Sequence, residues 1–185
     1  MINDSQSRRA LVALASAAIL AACSADTPVA PTRLAAGSAL ARASALTPEE
    51  RDAAATLRRA TGRYQNLNNA IADGFVFLHG CETRDEGAVG TVYVHPERLF
   101  DATINPALPD ALIYEPSSNG QLALVGVELA IPYVQWQPAD PPTFLGYSFQ
   151  SEDEFQVYGL HAWVWRDNPN GLFEEVNPRV SCGVE

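Results

Sequence analysis

Three histidines, His79, His95 and His161, and three cysteines, Cys23, Cys81 and Cys182, carry most of the chemistry open to this chain. Three imidazoles, or two of them with Glu82, Glu115 or Glu128, form a ligand set for zinc or another divalent ion, because ring nitrogen and carboxylate oxygen both suit such ions. None of them is spaced as a local motif: there is no His-Glu-x-x-His and no His-x-His. The residues therefore predict ordinary hydrogen-bonded histidines, with no metal and no cofactor. Asp167-Asn168-Pro169-Asn170-Gly171 has the look of a calcium loop but lacks the alternating ligands and the closing glutamate, so it reads as a turn. No Gly-x-Ser-x-Gly elbow presents a serine. A carboxylate pair such as Glu115 and Glu128 suits glycoside hydrolysis only at the right separation, which spacing along a chain does not supply. Glu152-Asp153-Glu154 reads as a solvated acidic loop. The sequence contains no lysine, which removes P-loop, Schiff-base and pyridoxal-phosphate chemistry. Met1 is the single methionine, which removes a copper site with a thioether ligand. With 12 basic against 22 acidic residues and a net charge of -10, nucleic acid is excluded as a partner, since phosphates need a basic surface.

The first cysteine belongs to a targeting segment. Arg8 and Arg9 precede an apolar run from Ala10 to Ala22, too short to span a bilayer and followed by small residues, as in a secretory signal. Leu20-Ala21-Ala22-Cys23 looks like a bacterial lipobox, after which the cysteine is lipidated and becomes the new N-terminus. Each buried CH₂ contributes about 0.8 kcal/mol, so several acyl chains anchor durably. Ser24 rather than an aspartate follows, which points to the outer membrane where a cell has two. The expected organisation is a signal peptide over residues 1–22, a lipid anchor and flexible tether over 23–46, and one globular domain over 47–185. In an exported, oxidising setting Cys81 and Cys182 are expected to pair. The alternative, a nucleophilic Cys81 helped by His79 on the same face of a strand, exposes a thiolate to oxidation.

The elements that must position these residues begin at Thr47-Pro48-Glu49-Glu50, a capping box with proline at the first helical position. Ala53, Leu57, Ala60, Tyr64, Leu67 and Ile71 then recur at spacings of four and three, which predicts one helix of about seven turns ending at Gly74. Beyond it, β-branched and aromatic runs predict strands over Phe75–Leu78, Val89–Val94, Ala111–Tyr114, Leu122–Ile131, Phe144–Phe149 and Val157–Trp165. Asn119-Gly120 predicts a hairpin. The fold class is α+β, with a long N-terminal helix packed on a mostly antiparallel, curved sheet; an all-β sandwich with a decorating helix is the alternative. Both faces of Val157–Trp165 are largely apolar, so it reads as a central strand. Its alternation places His161, Trp163 and Trp165 together as the floor of a candidate ligand pocket, with Arg166 and Asn168 at the mouth. The plainer alternative has the tryptophans filling core, each ring N–H meeting an acceptor.

Leu160-His161-Ala162-Trp163-Val164-Trp165, Asn168-Pro169-Asn170-Gly171-Leu172-Phe173 and Asn177-Pro178-Arg179-Val180-Ser181-Cys182 are the most distinctive runs. With Pro109–Pro116 and Leu124–Glu128 they resemble a group of uncharacterised bacterial exported proteins and lipoproteins, over roughly residues 50 to 182. Members carry a histidine in the strand matching Val89–Val94, where this chain has Val92 and Tyr93 and the nearest histidine is His95. The resemblance implies a domain boundary and no reaction. The expected function is therefore a lipid-anchored domain of the cell envelope, without a catalytic motif, that binds a ligand or a partner protein outside the cytoplasm. A metal-dependent or carboxylate-based hydrolase of the envelope is the alternative.

Overall fold

A computed structural model describes residues 46–183. The expected signal peptide, the expected lipidation site Cys23 and the expected tether up to residue 45 lie outside the described residues, within which no helix is long and apolar enough to cross a membrane.

The capping box forms as the sequence requires. Thr47 Oγ1 accepts from Glu50 N at 3.1 Å, the Glu50 carboxylate accepts from Thr47 N at 2.6 Å, and helix α1 runs over Pro48–Thr61. The seven-turn helix does not form. Gly62–Gln65 is a 3₁₀ turn, and a separate helix α2 covers Leu67–Ala72. Two local causes act together. Glycine holds a helix poorly, and here Gly62 lies under the Trp165 ring, whose Nε1 donates to Thr61 Oγ1 at 3.0 Å. Asn66 then takes an extended backbone and accepts from Asn68 N, starting a new helix in place of continuing the old one. Ala53, Leu57 and Tyr64 remain buried, whereas Ile71 is exposed.

The protein is α+β. Its main sheet has six antiparallel strands in the order β1-β4-β5-β6-β10-β9: β1 Val76–His79, β4 Thr91–Val94, β5 Ala111–Pro116, β6 Leu122–Pro132, β9 Gln150–Glu152 and β10 Val157–Ala162. Two short ribbons accompany it, β2 (Thr83–Arg84) with β3 (Gly87–Ala88) and β7 (Thr143–Phe144) with β8 (Tyr147–Ser148). The described residues thus form a single main sheet in place of a sandwich. One turn of helix, α3, covers Pro96–Leu99.

Alternation along the strands divides the core in two. Leu112, Tyr114, Leu124, Leu129 and Leu160 face α1, Tyr64 and Phe75. Val92, Ala111, Ile113 and Val125 face Val89, Trp163 and Val180 on the other side, beside the Cys81–Cys182 disulfide, whose Cα atoms are 5.3 Å apart. β10 is internal, between β6 and β9, but it ends at Ala162, three residues earlier than its apolar pattern implies. Past that point Trp163 N donates to Leu172 O, and Trp165 N and Arg166 N turn to Val125 O. The alternation stops there, and Trp163 and Trp165 end up on opposite sides of the sheet.

Candidate functional site

The register of three neighbouring strands builds the site. In the β6–β10 ladder Glu128 is directly opposite His161 and Ala130 opposite Gly159, while β9 sets Gln150 opposite Gly159 and Glu152 opposite Val157. Since side chains alternate between faces, Glu128, Glu152 and His161 emerge on the disulfide side. One ligand atom from each lies within 4.8 Å of the others. Between them stands Gly159, and its missing side chain is what lets the acids meet. A Cβ there would overlap a Glu152 carboxylate oxygen and lie 2.5 Å from one of Glu128.

Burial makes this cluster costly. Glu128 is 5% exposed and His161 8%. Burial first, and then the negative charges of Glu152 and Asp110, push the Glu128 carboxyl well above the usual carboxylate range; no basic group offsets them. The His161 imidazole is pushed below the usual histidine range, again chiefly by burial, with Glu152 pulling the other way. Its Nδ1 is 2.6 Å from the Glu175 carbonyl oxygen. A carbonyl can only accept, so Nδ1 carries the proton. Nε2 then presents a lone pair, with Glu152 Oε1 at 3.8 Å, beyond hydrogen-bond reach. The site is thus a neutral imidazole lone pair beside two carboxyl groups, fixed on three strands of one sheet.

Clefts open on either side. One of about 210 Å³ is lined by His79, Glu82, Arg84, Glu152, Phe155 and His161. A second of about 190 Å³ reaches His161 past Gln150, Gly159 and Phe173. A smaller apolar one, about 110 Å³, lies over Glu128 and Glu152 beneath Leu78, Leu99 and Phe155.

The other residues singled out by the sequence are placed as follows. His79 shares the larger cleft with His161, its Nδ1 2.7 Å from the Gly80 carbonyl and its ring stacked on Phe155. His95 is elsewhere, against Phe75, with Nε2 3.0 Å from the Asp73 carbonyl. Glu82 pairs with Arg84. Glu115 pairs with Arg166, accepts from Ser181 N, and sits toward the far end of β5 from Ala111, the partner of Glu128, so the two glutamates do not form a pair. Trp163 lies edge-to-face with His161 on the disulfide side, ring centroids 5.9 Å apart, with its Nε1 donating to the Glu174 carbonyl at 2.6 Å, but it lines neither cleft, and Trp165 packs on the helical side. Asn168 donates to Val176 O and accepts from Asn170 N, stapling the C-terminal loop. Asn177 does the same through Arg166 O and Arg179 N.

Glu152 is the residue that the sequence reading missed. Its acidic neighbours gave it the appearance of a solvated loop, yet it lies half-buried on β9 and points over Gly159. The available signal was weak: three residues of strand before a turn. Compared with known proteins, the chain matches no family model, no curated protein and no solved structure.

Proposed function

We propose that the chain is an exported, lipid-anchored domain of the cell envelope that binds a cationic ligand in the cleft formed over Gly159. The observation that carries this reading is the Glu128–Glu152–His161 cluster, two carboxyl groups and a lone pair gathered at one place, while Arg84 in the same cleft is paired with Glu82 and Glu175. Burial and the neighbouring Glu152 and Asp110 charges make it costly for Glu128 to ionise. A positive ligand would turn that cost into affinity, and the larger cleft gives it access. Export rests on the lipobox-like Leu20–Cys23 and is supported by the Cys81–Cys182 disulfide, a bond typical of oxidising compartments. The resemblance to exported lipoproteins and the net charge of -10 fit a domain held off the membrane on a tether.

The test is thermal unfolding of the mature protein against single cations, zinc and manganese among the metals and putrescine among the amines, with Glu152→Gln measured alongside. Stabilisation of the wild type that is lost in Glu152→Gln supports the reading. If no cation raises the midpoint in a Glu152-dependent way, the reading falls. A second reading, a metal-dependent envelope hydrolase, is favoured by one observation: the cleft reaches the cluster and could seat a substrate beside it.

A further inference from the structure

We infer that Glu128, Glu152 and His161 are the protein ligands of a single divalent transition-metal ion, with at least one coordination position left open toward the cleft shared with His79. This deepens the cationic-ligand reading and rests on it.

The donor set has the composition and reach of an open metal site. Zinc and its neighbours take imidazole nitrogen and carboxylate oxygen at about 2.0–2.2 Å, and sites with three protein ligands keep a further position for water or substrate. Donors on such an ion are spaced a little over 3 Å apart, a geometric consequence of those bond lengths. The atoms here already lie within 4.8 Å of one another, with His161 Nε2 and Glu152 Oε1 3.8 Å apart. Small side-chain rotations bring them to one ion.

Independent evidence comes from His161. It is more than nine-tenths buried, and the nitrogen that faces the cluster has no hydrogen-bond partner among the described residues. That nitrogen borders the clefts and is open to an incoming ligand. Its other nitrogen is tied to the Glu175 carbonyl, the outer-shell contact that fixes the tautomer and aims the lone pair of a ligating histidine. Glu128, buried beside it, has no basic partner and shares a hydrogen bond with the Glu152 carboxyl, a proton that a bound metal ion would displace. Two carboxylates would neutralise a divalent ion. One nitrogen among three donors, with only two carboxylates, favours a transition ion over calcium, which takes six to eight oxygens. Gly159 holds the space open.

The experiment uses the full mature lipoprotein extracted in detergent, stripped with chelator, and titrated calorimetrically with zinc alone. One zinc per chain is expected, with affinity reduced at least tenfold in Glu152→Gln and in Glu128→Gln. Cobalt in place of zinc should give visible absorption that both variants lose. Should Glu128→Gln fail to fold, Glu152→Gln decides, because the Glu152 side chain is 26% exposed against a nearly buried Glu128 and the change keeps its shape. Zinc binding that is absent, or unaltered in Glu152→Gln, overturns the inference. If putrescine then binds in a Glu152-dependent way, the metal site is wrong and the cationic-ligand reading survives. If neither binds, both fall.

Discussion

Asp110 shows at a single residue how the sheet carries its acids. It lies just before β5, 1% exposed, and its Oδ2 accepts from Ala130 N at 2.8 Å, two residues along β6 from Glu128. Burial pushes its pKa up to about 7; Asp101 adds to this, while Arg98 and the Ala130 N–H oppose it. A carboxyl whose folded value is raised binds its proton more tightly folded than unfolded. Its contribution is therefore complete below pH about 4 and is lost as the pH rises toward 7 and beyond. Metal-free protein should lose on the order of a few kcal/mol of stability from this group between pH 4 and 8. His161 acts in the opposite sense, costing stability as the pH falls below the ordinary histidine value. The difference between wild type and Asp110→Asn isolates Asp110. Urea unfolding should show the variant gaining on the wild type as pH rises, and parallel pH profiles would contradict the account.

At the scale of elements, the site depends on β9, β10 and β6 lying side by side with nothing but hydrogen at Gly159. Gly159→Ala places a methyl against both carboxylates. The strands are held by their ladders, so the acids must move. Overpacking of this kind costs about 1–3 kcal/mol, and the variant should also lose Glu152-dependent cation binding. Unchanged stability and binding in Gly159→Ala would mean that the two carboxylates do not meet there. The same scale explains what the sequence disclosed. The capping box at Thr47 and Glu50 was legible because its parts are three residues apart. So were β5, β6 and their Asn119-Gly120 turn, whose alternation and turn chemistry are local. The end of α1 was not, because the Trp165 ring that settles over Gly62 arrives from the far side of the sequence. Of the site, His161 and Glu128 were named as candidates but nothing joined them. Their pairing is a matter of register, and Glu152 enters only through an edge strand too short to announce itself.

For the whole molecule, the disulfide and the anchor proposed above would be two marks of one compartment. Cys81 and Cys182 close a loop across a separation of 101 residues. Chain-entropy models assign such a cross-link about 4.7 kcal/mol, acting on the unfolded chain. The pairing was legible from the parity of cysteines once Cys23 was set aside, since compartment decides it more than geometry does. Intact-mass spectrometry of the membrane-extracted protein tests both marks together. The chain should begin at Cys23 carrying an acyl adduct and should gain two hydrogens on reduction. A mass starting at another residue, or two alkylatable thiols before reduction, would contradict this organisation.

The central claim is that His161 Nε2 offers its lone pair to a cation held with Glu128 and Glu152. The most direct measurement is the ¹⁵N spectrum of the three imidazoles as zinc is added. At one equivalent, His161 Nε2 should shift to the position of a metal-bound nitrogen while its Nδ1 keeps its proton, and both His95 nitrogens should stay where they are. An unmoved His161 at saturating zinc would contradict the account.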